Sequence, residues 1–173
     1  MNRLPASFDL TGRTALVTGG SSGLGEAMAE ALGKAGAQLV LMARRQDLLS
    51  QSAEKMSAMG ISVRTLVCDL ASPEAAQDGA RQTLALGPVD ILVNAAGVNL
   101  REPFGDISVA SWMTQINLHL SAPFFLTQAL YPLLTIEITV DTSDRLTEAL
   151  RRGDLDLVIG RVPDDHADAF GFT

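Results

Sequence analysis

Short apolar segments alternate with segments of helical periodicity along the first 130 residues. The apolar runs are too short for buried helices, and turn residues bound each of them, so we predict four strands. These strands are residues 14–17, 38–42, 62–67 and 90–93. Helical spacing predicts helices over residues 24–35, 46–59 and 73–86, and a longer helix over 108–130. Pro123 predicts a kink or break within the long helix, because proline cannot donate a backbone hydrogen bond.

This alternation defines the expected fold class. Strands separated by helices of ten or more residues predict βαβ units and a parallel sheet, with helices on both faces. Beyond residue 134 the pattern continues: residues 135–140 and 155–159 predict strands, and Ser143 and Gly153 bound a helix over 144–152. We therefore expect an α/β, Rossmann-like, doubly wound sheet of six mostly parallel strands.

A glycine-rich turn between the first strand and the first helix is the main candidate for chemistry. Gly19, Gly20, Gly23 and Gly25 stand at the start of the helix. Glycines let backbone amides approach an anion, and a helix N-terminus contributes partial positive charge, so this arrangement is suited to binding phosphate. The alternative is an ordinary glycine-rich βα turn, and the residues after the other strands favour the nucleotide site.

In an open parallel sheet, ligands bind beyond the carboxyl ends of the strands. Arg44 and Arg45 follow the second strand, Asp69 follows the third, and residues 94–97 follow the fourth. An arginine after the second strand accommodates the 2′-phosphate of NADP, whereas an acidic residue there would bind the ribose of NAD. The alternative is that the two arginines are solvated charges at the start of a helix. Cations there oppose the helix dipole, so an anionic partner is favoured. We therefore expect NADP, with NAD less favoured.

Composition and charge narrow the class of protein. The chain carries 13 basic and 20 acidic residues without a basic stripe, so nucleic-acid binding is not expected. A hydrophobic content of 47% with 19% charged residues indicates a globular protein without a membrane span. The first twelve residues lack an apolar signal segment, and the single Cys68 cannot form an internal disulfide, so a cytoplasmic location is expected. Cys68 is expected in the core, and no residue spacing indicates a metal site.

The motif Thr18-Gly19-x-x-x-Gly23-x-Gly25 and the Asn-Ala-Ala-Gly run at 94–97 resemble the short-chain dehydrogenase/reductase family. The resemblance covers about residues 8–130 and is greatest to members that act on sugar acids and polyols, such as gluconate dehydrogenases. It implies a fold truncated relative to full-length members and NADP-dependent hydride transfer to or from a carbonyl or hydroxyl of a small molecule. The implied cofactor-binding residues are Thr18, Gly19, Ser21, Ser22, Gly23, Leu24, Gly25, Arg44, Arg45, Asp69, Leu70, Asn94, Ala95, Ala96 and Gly97.

The family resemblance also implies a catalytic set that this chain does not match. Family members use a tyrosine, a lysine four residues later and a serine, together with a helical asparagine whose position corresponds to Asn117. The only tyrosine is Tyr131, the only lysines are Lys34 and Lys55, and no Tyr-x-x-x-Lys is present. A phenol without a nearby cation is a poor base at neutral pH. We expect impaired catalysis or, alternatively, a non-catalytic NADP-binding module.

Residues 131–173 resemble a different family. The run Gly153-Asp154-Leu155-Asp156-Leu157 resembles the start of the effector-binding domain of LysR-type transcriptional regulators. This implies a junction near residues 127–135 and a second, βαβ part continuing the same sheet; a fragment of a small-molecule-sensing regulator is a further alternative. Charge changes there too, since residues 135–173 carry 4 basic and 9 acidic side chains. Family-like homo-oligomer formation through the 108–130 helix is expected to be impaired, because the next helix is replaced.

Overall fold

The computed structural model describes residues 9–130 of the 173-residue chain. These residues form four strands, β1 to β4, and five helices, α1 to α5. The strands are β1 (Thr14–Thr18), β2 (Gln38–Ala43), β3 (Val63–Val67) and β4 (Ile91–Asn94). The helices are α1 (Gly23–Lys34), α2 (Gln46–Ala58), α3 (Pro73–Leu86), α4 (Val109–Ile116) and α5 (Ala122–Leu130). A short 3-10 turn (Phe104–Asp106) precedes α4, and a π-helical turn (Asn117–Ser121) joins α4 to α5.

The four described strands form one parallel sheet in the order β3-β2-β1-β4. Thr18, the last residue of β1, lies opposite Met42 of β2 and Asn94 of β4. The chain moves outward from β1 to β2 and β3, then returns to the other side of β1 to form β4. This reversal creates a crevice at the carboxyl ends of β1 and β4, where open α/β sheets bind ligands.

Both faces of the sheet are covered, because successive side chains of a buried strand point to opposite faces. Ala15, Val17, Leu39 and Leu41 pack in one cluster with Ala29 of α1 and with Leu49 and Met56 of α2. Leu16, Val40, Met42 and Leu66 pack in the other with Ala76 and Ala80 of α3 and with Ala122, Leu126 and Leu130 of α5. The predicted doubly wound α/β architecture is confirmed for the described residues.

The helix predicted over residues 108–130 is interrupted by the π-helical turn, close to the position where Pro123 predicts a kink or break. Ser108 caps its start by accepting a hydrogen bond from the Ser111 amide at 3.0 Å. Further along, the amide of Ala122 donates to the carbonyl oxygen of Asn117, five residues earlier. Pro123 has no amide hydrogen, so the carbonyl of His119 cannot receive the usual bond from the residue four positions later. The wider turn therefore falls directly before the proline.

Several sequence predictions fall outside the described part of the chain. The fifth and sixth strands, the 144–152 helix and the resemblance of residues 131–173 to a regulator domain all lie there, and stay predictions. Among residues 9–130, no helix has the length and apolar character needed to cross a bilayer. Large apolar side chains are exposed on α4, including Val109, Trp112 and Met113. The expected impairment of association through this helix also stays a prediction.

Candidate functional site

A cavity of about 350 Å³ lies at the carboxyl ends of the strands. Its volume is within the usual range for small-molecule and cofactor sites. The lining residues come from the turn after β1, the ends of β2 and β3, the segment after β4 and the π-helical turn. They are Gly19, Ser21, Ser22, Leu24, Gly25, Met42, Ala43, Arg44, Arg45, Cys68, Asp69, Leu70, Ala95, Ala96, Gly97, Val98 and Leu118.

The glycine-rich turn forms one wall of the cavity, and two of its glycines are required by close backbone contacts. Gly19 has a φ of +66°, a conformation that other residues rarely adopt, and a Cβ there would lie 2.8 Å from the carbonyl oxygen of Ala95. A Cβ on Gly25 would overlap the carbonyl oxygen of Gly19. The backbone of α1 therefore begins directly against the turn, where its first amides border the cavity.

The N-terminus of α1 differs from those of α3 and α4 in its capping. Ser72 caps α3 by accepting a hydrogen bond from the Ala75 amide at 3.2 Å, and Ser108 caps α4 in the same way. Ser22 occupies the corresponding position of α1 but makes no side-chain capping bond. Because the first amides of a helix have no intrahelical acceptors, α1 presents donors and partial positive charge at the cavity.

Thr18 does not line the cavity but holds the backbone that follows β4. Its side chain is 1% exposed. The Oγ1 atom donates to the carbonyl oxygen of Val93 at 3.2 Å and accepts from the amides of Ala95 and Ala96, each at 3.1 Å. One hydroxyl has one donor and two acceptor positions, so all three are used. Thr18 thereby fixes the chain that leaves β4 to the end of β1.

Two arginines lie where the cavity passes the end of β2. Arg44 and Arg45 are both exposed and line the cavity. Within residues 9–130, the structure gives neither arginine side chain a hydrogen-bond or ion-pair partner. Arg45 also occupies the N-cap position of α2, where a cation opposes the helix dipole. An anionic ligand group at this end of the cavity would neutralise both charges.

The structure brings most of the predicted cofactor residues together. Those that line the cavity are Gly19, Ser21, Ser22, Leu24, Gly25, Arg44, Arg45, Asp69, Leu70, Ala95, Ala96 and Gly97. Thr18, Gly23, Asn94 and Asn117 do not line it. Gly23 instead has a φ of +59° at the start of α1, which explains the residue type. Asn94 is the last residue of β4 and is exposed.

Some residues at the cavity were not predicted from the sequence. Met42, Val98 and Leu118 line it without any distinguishing motif. Cys68, expected in the core, is half-buried between the core and the cavity, and its Sγ donates to the Ala75 carbonyl at 3.4 Å. Burial raises the pKa of this thiol, and the carboxylates of Asp78 and Asp69 raise it further. Cys68 is therefore protonated at neutral pH and is a poor nucleophile.

His119 contacts the segment after β4, and the sequence did not indicate these contacts. It follows Leu118 in the π-helical turn, and its Nε2 atom lies 2.7 Å from the carbonyl oxygen of Val98. The ring also packs against Gly97, where an added Cβ would lie 2.8 Å from its Cε1 atom. These contacts join residues 21 and 22 positions apart in sequence, so no local pattern reveals them.

The described residues contain no complete acid/base relay. Asn117 lies in the π-helical turn, where its carbonyl oxygen accepts from the Ala122 amide and its Oδ1 atom is 3.5 Å from the hydroxyl of Ser121. Tyr131 lies outside the described part of the chain. No group of three or more metal-binding side chains occurs between residues 9 and 130.

These features define a Rossmann-like nucleotide-binding domain: a parallel sheet with its crevice at the β1–β4 reversal, a glycine turn and an uncapped helix N-terminus. Sequence comparison identifies its family: the model of the short chain dehydrogenase family matches residues 13–139. The chain belongs to the short-chain dehydrogenase/reductase family, an oxidoreductase family. The match extends past residue 130, where the family resemblance was expected to end.

Curated relatives and solved structures agree on the family. The gluconate 5-dehydrogenase of Gluconobacter oxydans is 36% identical over 126 residues, which are 72% of this chain and 49% of that enzyme. A 3-oxoacyl-(acyl-carrier-protein) reductase of Agrobacterium tumefaciens, solved with NADP bound, matches with a TM-score of 0.71 and 32% identity, covering 75% of this chain and 50% of that one. A metagenomic short-chain oxidoreductase, solved in complex with NADP, matches with a TM-score of 0.68 and 36% identity, covering 72% of this chain and 57% of that one. The chain spans about half the length of the curated relatives it matches.

Proposed function

We propose that this chain binds NADP in the cavity at the carboxyl ends of its strands. The observation that carries the proposal is the pairing of an uncapped α1 N-terminus with two cations, Arg44 and Arg45, on a single cavity. A pyrophosphate suits the α1 amides, and a 2′-phosphate suits the arginines after β2. Related short-chain oxidoreductases have been solved with NADP bound, which supports this choice of nucleotide.

The residues present fit the cofactor. The contact between Gly19 and Gly25 leaves no side chain between the turn and α1, so a phosphate has access to the helix amides. Ser21 and Ser22 border the same space and supply hydroxyl groups. Asp69 and Leu70 line the end of the cavity near β3. An adenosine would lie on this side when its ribose binds after β2. Bound NADPH would supply a hydride for carbonyl reduction.

Charge reversal of Arg44 tests this proposal directly. Loss of hydrogen bonds to a charged phosphate costs about 1.5–3 kcal/mol, so Arg44→Glu is expected to weaken NADPH binding about 10- to 100-fold. Binding of NADH, which lacks the 2′-phosphate, should change much less. Arg81→Glu is the matched control, because this substitution makes the same charge change on α3, where Arg81 pairs with Asp78. An unchanged preference for NADPH in the Arg44 variant would contradict the proposal.

We further propose that the chain is an NADP-dependent oxidoreductase by descent with impaired turnover. Its 173 residues contain no Tyr-x-x-x-Lys, and loss of a general acid/base typically costs about 10²- to 10⁴-fold in rate. Similarity to a gluconate 5-dehydrogenase supports a sugar acid or polyol as the substrate class. NADPH oxidation in the presence of keto-sugar acids separates this proposal from a non-catalytic NADP-binding module. Slow turnover supports the first, and none supports the second.

The remaining alternative, a fragment of a small-molecule-sensing regulator, makes a different prediction. A ligand at 100 times its dissociation constant stabilises the folded state by about 2.7 kcal/mol. For a chain of this length, that corresponds to a rise in unfolding midpoint of about 5–10 °C. Such a rise with NADPH is expected for either NADP-binding form and not for the regulator fragment.

A further inference from the structure

The strand order determines which part of a dinucleotide each end of the cavity would contact. Arg44 follows β2, on one side of β1, whereas residues 95–98 follow β4, on the other side. If the 2′-phosphate binds at Arg44 and the pyrophosphate at the α1 N-terminus, the rest of the molecule extends toward β4. There the cavity wall consists of Ala95, Ala96, Gly97 and Val98, with Leu118 beside them.

His119 supports that wall from outside the cavity. Its Nε2 atom lies 2.7 Å from the carbonyl oxygen and 3.2 Å from the amide nitrogen of Val98. In a neutral imidazole this nitrogen either donates or accepts, and the shorter distance favours donation to the carbonyl. The Cε1 atom of the same ring would lie 2.8 Å from a Cβ at position 97. One exposed side chain therefore contacts two consecutive residues of the wall.

The contact also joins the wall to the π-helical turn. Leu118, which lines the cavity, and His119, which holds the wall, are adjacent in this turn. By contrast, the residues before Gly97 are fixed from the other side, because Thr18 binds the amides of Ala95 and Ala96. In the described residues, His119 provides the only side-chain hydrogen bond to Val98. Loss of the imidazole would thus release the β4 end of the cavity and leave the β2 end unchanged.

We propose that His119 is a positioning residue, which holds Gly97 and Val98 in place for the nicotinamide half of the bound dinucleotide. The inference rests on the proposed NADP binding. It predicts an effect confined to ligands that extend to the β4 end of the cavity. Adenosine 2′,5′-bisphosphate carries the adenosine and the 2′-phosphate but lacks the nicotinamide half, so it serves as the probe of the other end.

Calorimetric titration of the full chain tests the proposal with both ligands. His119→Ala is expected to weaken NADPH binding about 3- to 10-fold, the equivalent of one hydrogen bond. Binding of adenosine 2′,5′-bisphosphate should stay within about 2-fold of the unsubstituted chain, a change smaller than a single hydrogen bond. His119→Gln, which retains a terminal N–H donor, should recover part of the loss. Equal weakening of both ligands, or unchanged NADPH binding, would overturn the proposal.

Gly97→Ala gives a second, independent variant. Gly97 has no positive φ, so the added methyl group is opposed by the imidazole rather than by the backbone conformation. Its cost for NADPH binding should be smaller in a His119→Ala background than in the unsubstituted chain, because the clash is removed. Additive effects would overturn the inference. Failure of the unsubstituted chain to bind either ligand would instead overturn the proposed function on which it depends.

Discussion

Gly25 lies directly against the carbonyl group of Gly19, so that a Cβ on Gly25 would overlap the oxygen and lie 2.8 Å from the carbonyl carbon. This contact brings the first turn of α1 against the end of β1 and opens the helix N-terminus to the cavity. The glycine at position 25 is required by space and not by conformation, because its φ is not positive. Its substitution therefore tests close packing alone.

Gly25→Ala is expected to lower the free energy of unfolding by about 1–3 kcal/mol, the usual cost of overpacking a site that cannot relax. NADPH binding should weaken as well, because α1 must move away from the turn. Urea unfolding and calorimetric titration measure the two effects. Gly105→Ala is the control, because a Cβ there would have no neighbour within 4 Å and the φ is not positive. Equal stability of the two variants would show that the contact is unimportant.

Thr18→Val should destabilise the segment after β4 while it keeps the branched shape of the side chain. The substitution removes the hydroxyl that accepts from the amides of Ala95 and Ala96 and donates to Val93. The Ala95 amide keeps the carbonyl oxygen of Val93 at 3.2 Å, whereas the Ala96 amide loses its acceptor. An unsatisfied buried polar group costs about 1–3 kcal/mol, so a loss of this size is expected in urea unfolding. Thr18→Ser keeps the hydroxyl and should lose less stability than Thr18→Val. The reverse ranking would contradict the assigned hydrogen bonds.

Asp90 provides a pH-dependent contribution to stability at the opposite end of the sheet. Its Oδ2 atom accepts from the Thr14 amide and its Oδ1 atom from Arg13 Nη1, each at 2.9 Å. The Thr14 amide, followed by the Arg13 guanidinium, lowers the pKa of this carboxyl. A lowered folded-state pKa stabilises the fold above the unfolded-state value of about 3.9, and the effect is lost as the pH falls through the folded-state pKa.

The stability difference between the unsubstituted chain and Asp90→Asn is therefore expected to be largest near neutral pH and to shrink below about pH 4. Urea unfolding at a series of pH values measures this difference. A difference that stays constant from neutral to acid pH would show that the Asp90 carboxylate has no special stabilising role.

Local sequence signals were sufficient for much of the fold. Ser72 and Pro73 predicted the start of α3, and the observed helix, Pro73–Leu86, agrees with the prediction at both ends. The four short apolar runs predicted both ends of each described strand to within one residue. These features depend on capping, proline geometry and hydrophobic periodicity, which are all encoded within a few residues.

The supporting contacts of the site could not be predicted in this way. The role of Thr18 depends on the register that places it opposite Asn94, 76 positions later. The role of His119 depends on how the π-helical turn packs on the segment after β4. Both are properties of the assembled sheet and helices, whereas the glycine turn and the two arginines are recognisable from spacing alone.

An experimental structure of the chain with NADPH tests the proposed nucleotide site most directly. The pyrophosphate is expected over the N-terminus of α1, with the 2′-phosphate beside Arg44 and Arg45. An empty cavity at saturating NADPH, or a nucleotide bound elsewhere on the chain, would contradict it.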